Sequence, residues 1–365
     1  MRCRRREGQG WLPGVAGTQG QRADGARREA GIDPVCHTLV GACLARSGLG
    51  RRTTLGTATL LIGANLPDID VLAYLDGPGA DLAFRRGWTH GIPALIVLPF
   101  LLTGAMLLLD RATRRVGRAG LPSGVVPREV LRLSAVSILT HPILDTLNTY
   151  GVRWLMPFAG RWFYGDTLFI VDPWMWLVLA MGLVVGRRQR TARGFGDRGA
   201  RPARIALGVA AAYVFGMALL GVTARNIARR ELDTDAARVD QLMVAPRLLT
   251  PLVRQVVAAQ GDSYRLSTFR WLGRPHIDPG SERRFARPRR DDPALAAART
   301  TSLGSRFLVW ARFPMVQVEP GPDGGSLIHL IDLRYADRAG AGFGSVTVAV
   351  ASPPAALARQ PVTAR

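Results

Sequence analysis

The chain has 365 residues, 48 % of them hydrophobic and 21 % charged, and its mean hydropathy is +0.11. That length suggests two units, and that composition excludes a disordered chain; having only three cysteines, Cys3, Cys36 and Cys43, excludes a disulfide-rich secreted scaffold. The net charge is +21, yet all 48 basic residues are arginine and none is lysine. A bias that complete reads as GC-rich coding rather than selection for phosphate contacts. The arginines also cluster between apolar segments, where membrane topology accounts for them, so no nucleic-acid partner is expected.

Residues 1–32 are rich in Arg and Gly and carry no apolar run, so they read as a disordered tail or a misplaced start. Asp33–Ser47 is a short apolar helix with Asp33 as N-cap and Pro34 at the first helical position. Thr53–Leu66 is a second short helix. Neither crosses a hydrocarbon core of about 30 Å alone, so the pair reads as a dipping hairpin or as half-helices sheltered by other spans. Gly91–Leu109, Phe169–Val185 and Ile205–Val222 are the better spans, and Val130–Tyr150 is apolar but carries His141, Asp145 and Asn148.

The loops set an orientation. Arg111–Arg132 and Arg187–Arg204 are dense in arginine and belong on the cytoplasmic side, whereas Asp76–His90 and Thr149–Thr167 hold two arginines each and face outward. Everything after Arg225 then lies outside. That part alternates in the β manner: Ser263–Trp271, Arg306–Phe313, Leu327–Tyr335 and Ser345–Val350 read as strands, and Arg274–Ala298 as a charged connection. The expected fold is an α-helical multi-span membrane domain, 33–225, followed by a small β-rich extramembrane domain, 226–365.

Three of the five histidines sit in the membrane half: His37 in DPVCHTLVG, His90 in GWTHG and His141 in HPILD. His141 and Asp145 are four apart and share a helical face. Asn65-Leu66-Pro67-Asp68-Ile69-Asp70 adds two carboxylates. Ionisable groups in apolar segments are costly and mark function, and the topology gathers these at one outer face. Neutral imidazole with carboxylate suits Zn²⁺, or Mn²⁺ and Fe²⁺ with more oxygen ligands. The candidate metal ligands are therefore His37, Asp68, Asp70, His90, His141 and Asp145, with Asp70 or Asp145 as the catalytic base. Asn65, Asp166 and Asp172 are candidates for the surrounding shell, although Asp172-Pro173 also reads as a plain helix cap. Trp154, Trp162, Trp174 and Trp176 read as an interfacial belt, and His276 and His329 as structural.

In order, DPVCHTLVGACLARSGL, GANLPDID, RRGWTHG, HPILDTLNTYG and RWFYGDTLFIVDPWMW resemble the YdjM-like family of inner-membrane proteins, described as metal-dependent hydrolases. The resemblance is strong over about Asp33–Val185, and the β-rich tail resembles that of the family's longer members. It implies a multi-span bacterial inner-membrane protein with a His/Asp metal site built from the six residues named, zinc being the first choice of ion. The activity expected is hydrolysis of an ester or phosphoester by metal-activated water. Membrane lipid is the expected partner, a lipid-linked molecule the expected substrate, and the C-terminal domain is expected in the periplasm. The competing expectation is a non-catalytic membrane protein or transporter with a structural or transported ion.

Overall fold

The computed structural model describes residues 33–77, 79–115, 124–193, 199–234, 237–321, 324–336 and 343–351. The Arg-rich segment 1–32 and parts of both Arg-rich loops, 116–123 and 194–198, lie outside the described residues.

Asp33 starts the first helix, as its side-chain oxygen accepts from the Cys36 amide at 2.8 Å, satisfying one of the free N–H groups of α1, Pro34–Arg46. Helix α2, Gly56–Asn65, runs back beside it and passes into a 3-10 stretch, Leu66–Asp76, that carries Asp68 and Asp70. The two helices touch through their small residues. A Cβ on Gly41 would lie 2.8 Å from the Leu60 carbonyl oxygen, and one on Gly63 would collide with Ser137 Oγ on a neighbouring helix. Glycine is required at both crossings, and small residues generally let helices in apolar surroundings approach this closely.

A short helix α3, Ala80–Phe84, leads to α4, Ile92–Arg115; α5, Pro127–Thr146, α6, Pro173–Arg193, and α7, Arg201–Leu232, follow. Among the described residues two helices are long and apolar enough to cross a membrane, Ile92–Arg114 and Arg201–Leu232. Only 17 % of the apolar window of either is buried within the protein, whereas the core helix of a water-soluble fold is mostly buried. Ile96, Phe100 and Leu101 on α4 and Phe215, Leu219 and Val222 on α7 stand exposed instead. Helix α5 falls short because its first turns carry Arg128, Glu129 and Arg132, and α6 because it ends in an arginine-rich turn.

Helix α7 continues past Arg225 to Leu232, where Ala224, Ala228 and Leu232 pack on a sheet face formed by Leu242, Val244, Val256, Ala258 and Phe269. That sheet is an antiparallel meander, β1 (Gln241–Arg247), β2 (Thr250–Gln260), β3 (Ser263–Arg270) and β4 (His276–Ala286). Side chains alternate across it, so Met243, Val257 and Leu266 face the other way and meet Phe313, Met315 and Ile331. The latter belong to or adjoin a second antiparallel sheet of β5 (Pro314–Pro320), β6 (Ser326–Asp332) and β7 (Ser345–Val350). Its far side covers helices α8, Pro293–Thr300, and α9, Ser302–Trp310, together with Tyr150 from the loop after α5.

Two expectations for this half are corrected. Arg306–Phe313 is no strand: Thr301 caps α9 by accepting from the Gly304 amide, and Gly304, Phe307 and Trp310 are buried at the three-residue helical spacing. Arg274–Ala298 is no mere connection: it holds β4 and α8. The charges that disguise β4 belong to an edge strand, where Asp278 meets Arg270 and Glu282 meets Arg265 across the ladder.

The polar ends of the helices are sorted. Arg306 reaches the Asp76 carbonyl and Trp162 the Val309 carbonyl, so the loops 76–90 and 149–167 lie at the end that carries the sheets. At the other end the Thr54 amide meets Gly124 and the Arg204 side chain meets Ser47. The close contact at Gly63 gives a test: Gly63→Val should lower the thermal unfolding midpoint of detergent-purified protein, the overpacking costing about 1–3 kcal/mol. An unchanged midpoint would mean that α2 and α5 do not cross this tightly.

Candidate metal centre

The site is assembled from three places in the chain. The 3-10 stretch after α2 gives Asp68 and Asp70, the turn before α4 gives Arg85, Arg86, Thr89 and His90, and the last turns of α5 give His141 and Asp145. His90, His141, Asp70 and Asp145 are buried, and Asp68 is partly open, its side chain 24 % exposed.

One oxygen or nitrogen from each of Asp68, His90, His141 and Asp145 lies within 4.8 Å of all the others, so the group could hold a metal ion. The Asp145 Oδ2 atom is 3.3 Å from His90 Nε2 and 3.5 Å from His141 Nε2, and His141 Nε2 is 3.5 Å from Asp68 Oδ1. Metal–nitrogen and metal–oxygen bonds of about 2.0–2.1 Å in a tetrahedron put neighbouring donors about 3.3 Å apart. His90 Nε2, His141 Nε2 and Asp145 Oδ2 are buried without a hydrogen-bond partner, although orphaned polar atoms are costly to bury. A cation between them removes the penalty for all three, so the residues present fit a divalent ion.

The second ring nitrogens fix the tautomers. His141 Nδ1 lies 2.7 Å from the Ala64 carbonyl, which can only accept, so Nδ1 carries the proton and Nε2 the lone pair. Thr89 donates its hydroxyl to Asp70 Oδ2 at 3.0 Å, so it accepts from His90 Nδ1 at 2.9 Å, with the same Asp70 oxygen 3.4 Å away. In their neutral form both imidazoles thus present an unprotonated Nε2 inward, the form that ligates metal.

Asp70 does not add a donor to this group. It accepts from the Arg86 amide at 2.9 Å and from Thr89, and faces Arg85 Nε at 3.5 Å. His37 lies beside the cluster, stacked on His141 at 3.7 Å between centroids with its Nε2 3.5 Å from Asp145 Oδ1. Asn65 is tied to Thr38 and the Leu61 carbonyl. Asp166 pairs with Arg312 at 2.9 Å, and Asp172 caps α6 and accepts from Tyr213. A cavity of about 20 Å³, large enough for a water, runs from His37 and Asp145 past Asn148 to Asp172.

Arg85 and Arg86 were not among the expected site residues. Arg86 Nη2 lies 2.8 Å from Asp145 Oδ1 and its Nη1 donates to Asn148 Oδ1 at 3.0 Å. Arg85 Nη2 lies 3.6 Å from Asp68 Oδ1. The available signal was their place: they are the only arginines in a loop assigned to the side where arginine is disfavoured, and they adjoin the His90 motif.

A helical domain whose polar centre is buried among apolar helices defines the class of protein. The chain belongs to the YdjM inner membrane protein family, whose model matches residues 32–226. It is also similar to the "Uncharacterized protein YfhP" of Bacillus subtilis (strain 168), 22 % identical over 120 residues, a stretch that spans 32 % of each chain. No solved structure matches it significantly.

Elemental analysis of detergent-purified protein tests the centre. Wild type should carry a divalent metal, the paired change His90→Ala/His141→Ala should abolish it, and Asp166→Asn should leave it in place. Retention in the histidine variant would refute the centre.

Proposed function

We propose that this protein is a multi-pass membrane hydrolase that uses one divalent ion to cleave an ester or phosphoester at the outer membrane face. The observation that carries this reading is the convergence of His90 Nε2, His141 Nε2 and Asp145 Oδ2, buried, unpartnered and spaced for a metal. When bound, the ion supplies Lewis acidity and brings the pKa of a coordinated water down to about 7. Zinc heads the proposed ions, because a His/Asp set with tetrahedral spacing suits it; manganese and iron follow.

One ion rather than two is favoured by Arg86. Its guanidinium covers Asp145 Oδ1, the oxygen that a second ion would need. Asp70 gives its Oδ2 to the Arg86 amide, Thr89 and His90 and turns its buried Oδ1 toward Arg85, so it orients His90 and stands away from substrate. That leaves Asp68, whose side chain is 24 % exposed, as the proton acceptor best placed to meet substrate. Arg85, buried beside Asp68 and facing Asp70, adds positive charge at this place, which favours a phosphoester over a neutral ester.

Multi-pass insertion is supported by the exposed apolar faces of α5 (Val136, Leu139, Ile143) and α6 (Leu177, Met181, Val184), beside those of α4 and α7. Helices α1 and α2 then lie sheltered among longer spans. The Arg-rich ends would face the cytoplasm and the sheets the periplasm, with the site near lipid headgroups and a lipid-linked substrate. A cysteine placed at Leu272, 75 % exposed, should react with a membrane-impermeant thiol reagent added to intact spheroplasts. Labelling only after lysis would reverse the orientation.

A second reading rests on the same geometry. Four protein donors can fill a tetrahedral shell, which suits a structural or transported ion. Metal-loaded protein offered a panel of phosphoesters and carboxylic esters should hydrolyse a member of the panel, lose activity on chelation, and lose about 10²-fold or more of kcat/KM in Arg85→Met with its metal retained. Full metal with no hydrolysis, and ion uptake into proteoliposomes, would favour the second reading.

A further inference from the structure

We propose that the outer β-domain sets the geometry of the metal centre, with Arg334 as a positioning residue acting through Tyr150, Asn148 and Arg86 on Asp145; this rests on the metal reading of the site. Arg334 is fully buried where β6 ends. Its Nε and Nη2 donate to Asp332 at 3.0 and 2.8 Å, and its Nη2 also donates to the Trp310 carbonyl at 3.0 Å. Trp310, Tyr335 and Tyr164 lie round the guanidinium at 4.6, 5.2 and 5.4 Å from their ring centroids. A cation so confined has one pose. Its remaining nitrogen, Nη1, donates to the Thr149 and Tyr150 carbonyls at 2.7 and 3.3 Å.

Those carbonyls belong to chain that has already left α5, which ends at Thr146, so the helix itself does not hold them. Tyr150 acts on Arg86 from two sides. Its amide donates to Asn148 Oδ1 at 2.9 Å, the same oxygen that accepts from Arg86 Nη1 at 3.0 Å, and its ring lies 4.5 Å from the Arg86 guanidinium carbon. Arg86 needs such support, because its backbone sits at φ +52°, a region where a non-glycine residue persists only when its surroundings over-determine it. Arg86 then holds Asp145 Oδ1 at 2.8 Å, which turns Oδ2 toward His90 and His141. An unbroken run of contacts thus joins the outer sheet to a metal-facing carboxylate.

The bland alternative is that Asp332 and Arg334 only glue the domain to the helices. Arg312 provides the control, since it pairs with Asp166 across the same interface and reaches Asp332 through its own amide, not through Tyr150. The experiment measures zinc and manganese affinity of the full-length, detergent-purified protein by competition with a chelating dye. It compares wild type, Arg334→Met, Arg86→Met, the double variant and Arg312→Met, with thermal unfolding run beside each. Removing groups that orient a ligand costs 10–100-fold in metal affinity in comparable sites, so Arg334→Met should weaken binding about 10-fold. The double variant should bind no more weakly than Arg86→Met alone, because both changes cut one path. Arg312→Met should lower the unfolding midpoint and leave affinity unchanged. If Arg334→Met does not fold, Asp332→Asn, which keeps the shape and removes the countercharge, takes its place. Independent effects that multiply, or an equal loss in Arg312→Met, would overturn the proposal while leaving the centre intact. Wild type that binds neither ion would overturn the metal reading and this proposal together.

Discussion

Everything in the membrane half is arranged around the Asp145 carboxylate. A buried charge is tolerated only when it is compensated at close range, and this one is divided between two kinds of partner. Oδ1 meets Arg86 at 2.8 Å, and Oδ2 faces His90 and His141 at 3.3 and 3.5 Å. That division requires α5 to bring His141 and Asp145 to one face, the Asp76–His90 loop to fold inward, and α1 to bring His37 alongside. It also fits the short lengths of α1 and α2: α1 begins and α2 ends beside the polar cluster.

Much of this was legible in the sequence, and the reasons differ by residue. The helix starts at Asp33 and Asp172 were readable because capping is local chemistry followed by proline. The pairing of His141 with Asp145 was readable because the helical repeat fixes it. That His90 and Asp68 join them followed from topology, as both fall at the same end of the apolar segments. What could not be read was the division of labour. Six residues were candidates for ligands, and spacing along the chain says nothing about which carboxylate faces the centre and which stands behind a histidine. Asp70 and Asp68 are two apart on the same stretch, yet one is locked under Arg86 and Thr89 while the other keeps a partly open side chain.

The β-rich half was harder for a related reason. Strands β3, β6 and β7 were readable because apolar residues recur among polar ones along them, although β3 and β6 bury residues on both faces. The hairpin of β1 and β2 buries both faces in part, against α7 on one side and the second sheet on the other, so its apolar residues run together and the alternation is lost. Edge strand β4 is masked by charge. Helix α9 has the opposite disguise, since Arg306 and Phe307 followed by Leu308, Val309 and Trp310 alternate well enough to suggest a strand until Phe307 and Trp310 are seen to share a face.

Helix α7 carries a consequence for motion. Its 32 residues extend about 48 Å, longer than a hydrocarbon core of about 30 Å. The excess forms the stem on which Leu242, Val256 and Phe269 are seated, through Ala224, Ala228 and Leu232. The helix is a lever. A change in its tilt, such as a thinner or thicker bilayer imposes, swings the first sheet with it.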